Sequence, residues 1–252
     1  MNSPSKPQHG PGSIDLPDVH EYGAEKNGVR QSSDRRLFIQ LLVFTECFSL
    51  EAASKTLQNS GLESVLYADV NDPRGIGVLV LSEDPSLFTG KARSVFLSEP
   101  FRSLKAKTGW TMMGRTYSSG FEQDLEDWLL RKPRRNLFNA SFNWALWYPL
   151  RRKPEFEQLT KEEQRPILME HAKLGMGYGQ AELAHDVRLA CHGLDAHDNE
   201  FLLGLVSKEL YPLSRLVQDM RKTQQTSRYI QQMGPFFVGH VMGRFGHETG
   251  KA

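Results

Sequence analysis

Three side chains in this sequence combine a reactive type with a telling position: a histidine, an arginine and a tyrosine. His171 follows Ile167 and Leu168 at helical spacing, which puts its imidazole on the apolar stripe of a helix. A histidine there is either a core residue whose nitrogens meet backbone groups, or a metal ligand with one nitrogen free. Arg188 lies in Asp186-Val187-Arg188-Leu189-Ala190-Cys191-His192, whose alternation sends Asp186, Arg188, Ala190 and His192 to one face of a strand and the apolar set to the other. Its guanidinium points into a sheet-lined space or to water. Tyr148 shares a strand face with Trp144 and Leu146, and Arg151, Arg152 and Lys153 follow directly. Three cations after an aromatic strand make an ordinary basic loop, or meet the carboxylates of a planar ligand.

The elements that must position these groups alternate in type. The patterning predicts a strand over 37–45, a helix around 50–57, a strand over 64–70, a turn at 71–75, a strand over 76–81, a helix over 85–94 and a strand near 110–117. A polar, helix-prone bridge over 121–135 leads to a strand over 144–150, a helix over 161–173, strands over 186–191 and 201–206, a helix over 208–222 and a strand over 235–241. The order β-α-β-β-α-β therefore occurs twice, as expected of two ferredoxin-like halves that pair their sheets into one barrel. This divides the chain into a mobile arm (1–33), a first repeat (34–120), a linker (121–143), a second repeat (144–243) and a tail (244–252). Thr160-Lys161-Glu162-Glu163 reads as a capping box, but Pro166 falls near the second turn of its helix, and Ser207 with Pro212 repeats the arrangement. Each helix either kinks at its proline or starts just before it.

Composition narrows the function classes. The chain has 252 residues, with 31 Lys and Arg against 30 Asp and Glu, so its formal charge of +1 provides no general field for a nucleic-acid backbone. No apolar run is long enough to span a bilayer, and MNSPSKPQHGPGS at the start lacks the apolar segment of a secretion signal, so a cytoplasmic protein is expected. Two cysteines, Cys47 and Cys191, are too few for a disulfide framework or a cysteine-based zinc site.

The stretch Trp147-Tyr148-Pro149-Leu150-Arg151-Arg152, followed by Leu159-Thr160-Lys161-Glu162-Glu163 and Leu168-Met169-Glu170-His171, resembles the heme-binding half of the chlorite dismutase and coproheme decarboxylase superfamily. Leu216-Val217-Gln218-Asp219-Met220-Arg221, Ser227-Arg228-Tyr229 and Gly234-Pro235-Phe236-Phe237-Val238-Gly239 resemble the C-terminal motif of the decarboxylases. The likeness covers roughly 144–240; before that only the element order matches. It implies an α+β fold in which two ferredoxin-like βαββαβ repeats form a dimeric α+β barrel.

Carried over by position, the resemblance makes His171 the proximal ligand of heme iron, with Gln225 or Gln224 offered by spacing as acceptor for its other nitrogen. Tyr148 matches the tyrosine that forms a radical beside a reactive propionate. Arg152 stands where those enzymes have a lysine near the propionate, and Arg221, Ser227 and Arg134 or Arg135 fall near propionate-holding positions. Aligning Asp198-Asn199-Glu200-Phe201 with the family's acidic-aromatic motif puts Arg188 at the distal position, where chlorite dismutases carry arginine and decarboxylases carry glutamine or alanine. The interval from His171 to Arg188 is longer than in either class.

The function implied is hydrogen-peroxide-dependent oxidative decarboxylation of iron-coproporphyrin III (coproheme) to heme b. Peroxide oxidises the iron, a tyrosyl radical at Tyr148 takes hydrogen from a propionate β-carbon, and loss of carbon dioxide leaves a vinyl group. The alternatives are chlorite dismutation to chloride and dioxygen with distal Arg188, and a non-catalytic heme carrier or sensor. All three imply non-covalent heme b or iron-coproporphyrin III. The expected partners are a porphyrin and a small oxidant, peroxide or chlorite, in a homo-oligomer with a pentamer favoured.

Overall fold

The computed structural model describes residues 16–247, and the first of these form a hairpin where the sequence reading expects an irregular arm. Strand β1 (Glu21–Lys26) pairs antiparallel with β2 (Val29–Ser33). Asn27 and Gly28 turn the chain at φ 54° and 77°, left-handed values that asparagine and glycine adopt at least cost. The hairpin is anchored by side chains: Glu21 accepts from Arg115 at 2.8 Å and from the Ser118 N–H at 2.9 Å. The remainder of the expected arm, 1–15, lies outside the described residues, as does 248–252 of the expected tail.

The first repeat then runs β3 (Phe38–Thr45), α1 (Leu50–Ser60), β4 (Ser64–Asp69), β5 (Ile76–Ser82), the short helices α2 (Ser86–Thr89) and α3 (Lys91–Phe96), the two-residue β6 (Lys105–Ala106) and β7 (Met112–Arg115). A π-helical turn (Asp127–Arg131) and α4 (Lys132–Phe138) occupy the linker. The second repeat runs β8 (Trp144–Arg152), α5 (Lys161–Gln180), β9 (His185–Ala190), β10 (Phe201–Ser207), α6 (Leu210–Met220), α7 (Gln224–Tyr229), β11 (Ile230–Met233) and β12 (Phe237–Phe245).

Strand pairing closes a ring. The first repeat contributes the order β7-β3-β5-β4 and the second β12-β8-β10-β9, each the ferredoxin-like order; β4 pairs with β12, and Arg115 opposite Ala190 joins β7 to β9. The expected duplicated α+β barrel is thus present within one chain. Alternation along each strand fills its interior: Ile39, Leu41, Leu79, Tyr67, Trp147, Leu189 and Phe237 are all fully or almost fully buried there. Gly204 stands beside Trp147 because the indole occupies its place; a Cβ there would meet the ring at 2.5 Å.

Outward residues of the first half, such as Leu66 and Val78, pack against Leu57 of α1. On the second half Leu146, Tyr148 and Leu205 face Leu213 and Leu216 of α6 and Leu174 and Tyr178 of α5. Thr160 and Glu163 form the expected capping box of α5, with the Thr160 N–H donating to Glu163 at 2.8 Å. The helix then continues through Pro166 and ends at Gln180, seven residues beyond its expected end at 173. In α6 Pro212 is the third residue, where its missing N–H costs no intrahelical bond, and the helix starts at Leu210 rather than 208. No helix among the described residues is long and apolar enough to cross a membrane.

Candidate functional site

Strand register sets the floor of the site. Leu203 of β10 is opposite Tyr148 on one side and Arg188 on the other, so the three lie in one row across β8, β10 and β9. Neighbouring strands are about 4.8 Å apart, which puts the tyrosine and arginine backbones about 10 Å from each other. Tyr148 is 5% exposed, and burial pushes its phenol well above the ordinary range. Its ring stacks on Phe236 with centroids 4.5 Å apart, and among the described residues its hydroxyl has no hydrogen-bond partner.

Helix α5 carries the half-buried His171 on the same side of the sheet, and the imidazole Nδ1 lies 3.3 Å from the Thr223 hydroxyl. Thr223 donates its single hydroxyl proton to the Met220 carbonyl at 2.8 Å, so toward His171 it accepts. The Nδ1–H tautomer is the one that completes this hydrogen bond, and it leaves the Nε2 lone pair for a metal. Burial, and then the Arg188 guanidinium, hold the imidazole below its ordinary value and keep it neutral, which metal ligation requires. Where the sequence reading expects Gln224 or Gln225, the start of α7 brings Thr223 to the imidazole. Thr223 is the helix cap, its hydroxyl also meeting the Thr226 N–H at 3.4 Å, while the Gln224 backbone N–H donates to Glu170 at 3.0 Å and neither glutamine side chain hydrogen-bonds the imidazole.

Farther along α5, Tyr178 donates to Asp219 of α6 at 2.9 Å. Lys222 and Arg215 flank that carboxylate and hold it far below the usual range. The apolar stripe expected around His171 is only partly covered: Ile167 is buried, but Leu168, Met169 and Met176 are exposed. The helix thus presents apolar side chains next to its imidazole without protein to cover them.

The cations divide into those near this face and those bound elsewhere. Arg188 pairs with Asp186 at 2.9 Å and lies over the Trp128 ring at 4.7 Å. Arg152 pairs with Glu157 at 2.9 Å and Glu200 at 3.3 Å, with Phe156 and Phe201 on its flanks. Arg221 is exposed, lies near enough to Tyr148 to act on its phenol, and has no carboxylate partner among the described residues. Ser227 donates to the Thr223 carbonyl at 2.8 Å, within its own helix turn. The expected propionate roles of Arg134 and Arg135 do not match their placement. Arg134 grips both oxygens of Glu63, ahead of β4, at 2.8 and 3.0 Å, and Arg135 is paired with Asp127. Trp128 and Thr223 are not singled out by the sequence reading, and Asp186 enters it only as a residue on the face of Arg188. The Thr223-x-x-Thr226 spacing signals a helix cap, but nothing local in the linker shows that it folds back onto β9.

A neutral imidazole, the half-buried Leu203 between Tyr148 and Arg188, a buried phenol and the exposed Arg188 and Arg221 form a donor set whose chemistry suits an iron porphyrin with acidic side chains. The family model described as chlorite dismutase matches residues 76–242, and no curated protein matches. Among solved structures, a heme-binding protein from Thermus thermophilus superposes with a TM-score of 0.63 at 19% identity, covering 83% of this chain and 92% of that one. Chlorite dismutase from Candidatus Nitrospira defluvii in complex with imidazole superposes with a TM-score of 0.63 at 15% identity, covering 84% and 93%. A doubly substituted variant of that enzyme gives 0.64 at 14% identity, with the same coverage. Matched by the family model over residues 76–242 and sharing the fold of these structures, the chain belongs to the chlorite dismutase family.

Proposed function

We propose that the protein binds an iron porphyrin between α5 and the β8-β10-β9 face and uses hydrogen peroxide to convert iron-coproporphyrin III to heme b. The observation that carries this reading is Tyr148, a buried phenol with an unpartnered hydroxyl on the face beneath the helix of His171. When bound, the iron porphyrin supplies the centre that peroxide oxidises and the propionates that lose carbon dioxide. His171 holds the iron through Nε2, with Thr223 fixing the ring through Nδ1. Tyr148 gives up its hydroxyl hydrogen, and the phenoxyl radical regains one from a propionate β-carbon. Each propionate, one peroxide and one proton yield a vinyl group, carbon dioxide and two waters. Burial suits Tyr148 to this relay, because it keeps the phenol protonated, with its hydrogen in place to be given up. Arg221, exposed and without a carboxylate partner among the described residues, would meet a propionate at the rim.

Mass spectrometry of the porphyrin during peroxide titration tests the reading: two successive losses of carbon dioxide are expected, and an unchanged mass defeats it. Arg188, in the same row as Tyr148, favours a second reading, conversion of chlorite to chloride and dioxygen. Oxygen evolution from chlorite that disappears in Arg188→Ala would establish it. Activity in neither assay, with porphyrin retained, identifies a carrier or sensor.

A further inference from the structure

The linker contributes to the face described above. Trp128 of the π-helical turn and Lys132 at the start of α4 reach β9, where Asp186 gives one carboxylate oxygen to each of two cations. Oδ2 meets Arg188 Nε at 2.9 Å and Oδ1 meets Lys132 Nζ at 3.2 Å. Both cations also lie over the one indole: the Arg188 guanidinium is 4.7 Å and the Lys132 ammonium 4.0 Å from its centroid. The backbone is tied at the same point, since the Asn136 side-chain amide donates to the Asp186 carbonyl at 2.9 Å. Asp186 and Arg188 are two residues apart on one strand and so share a face, and Leu205 and Leu203 of β10 lie opposite them.

We propose that Asp186 is a positioning residue that parks Arg188 against Trp128, so that the guanidinium is withheld from small anions at the iron, with Lys132 competing for the carboxylate from its other side. The ion pair is made at Nε, where the carboxylate charge slows base-catalysed loss of the Nε proton, and the indole lies against the guanidinium carbon. Arg188 thereby braces the linker to the second repeat, and its activity toward anions depends on how firmly Asp186 holds it. This rests on the reading that the β8-β10-β9 face binds the porphyrin, but half of its test does not.

In the porphyrin-free protein, nitrogen-15 NMR follows hydrogen exchange at the Arg188 Nε–H. Asp186→Asn should speed exchange roughly fivefold, the scale of one partly exposed ion pair, and Asp186→Glu should restore it. In the ferric porphyrin complex, fluoride should bind Asp186→Asn roughly fivefold more tightly, and the gain should vanish in Asp186→Asn/Arg188→Ala. Lys132→Met, which leaves the carboxylate to Arg188 alone, should move both readings the other way. Unchanged exchange in Asp186→Asn overturns the proposal, and so does unchanged fluoride affinity in a variant that retains its Soret band. Failure of the unsubstituted protein to take up porphyrin defeats the reading of the face instead, and the exchange measurement then decides whether the clamp exists.

Discussion

At His171, a single hydroxyl decides which nitrogen is available. Thr223 has one proton and gives it to Met220, so it can only accept from the imidazole. Thr223→Val removes that acceptor, and we expect iron-porphyrin affinity to fall about 10- to 100-fold with a weaker iron–histidine stretch in resonance Raman spectra. Thr223→Ser should restore both; unaltered affinity in the valine variant would show that the hydroxyl serves only as the cap of α7. The place of the histidine on a helix was legible from spacing, and its ligand role is what the resemblance implies, whereas its partner was not legible. Spacing pointed to Gln224 or Gln225, and the cap geometry that places Thr223 first appears only when α7 docks against α5.

The element that presents the histidine has a pH-sensitive start. In the capping box of α5, the Thr160 backbone and hydroxyl hold Glu163 below the usual carboxylate range. A folded value below the unfolded one gives stabilisation that is complete above the ordinary glutamate value, about 4.3, and lost as pH falls through the lower folded value. Hydrogen exchange over the first turn should therefore accelerate as the pH is lowered into that window, and Glu163→Gln should remove the transition; an identical acid profile in the variant would contradict this assignment. The capping box was readable from four residues. The end of the helix was not, because Gly175, Gly177 and Gly179 have low intrinsic helix propensity and read as a loop, yet docking carries the helix past them. The β1-β2 hairpin was hidden by polar composition, although its Asn27-Gly28 turn is a strong hairpin signal.

The whole molecule is one ring in which both repeats share an interior, and its fold was readable because element order survives where sequence similarity does not. The contribution of the linker was not readable, since only the closed barrel brings Trp128 and Lys132 to β9. The interior tolerates little change in volume. Gly204→Ala would drive a methyl group into Trp147, and we expect a loss of about 1–3 kcal/mol in urea unfolding, against an unchanged midpoint if the indole can shift freely.

The central claim is that Tyr148 relays the oxidation from iron to propionate, and a comparison of the unsubstituted protein with Tyr148→Phe under peroxide tests it most directly. Phenylalanine keeps the ring, and with it the stacking on Phe236, but has no hydrogen to give. The account predicts that the variant binds iron-coproporphyrin with the same Soret band and leaves its mass unchanged, while the unsubstituted protein removes two carbon dioxides. Decarboxylation by Tyr148→Phe at the unsubstituted rate would contradict it.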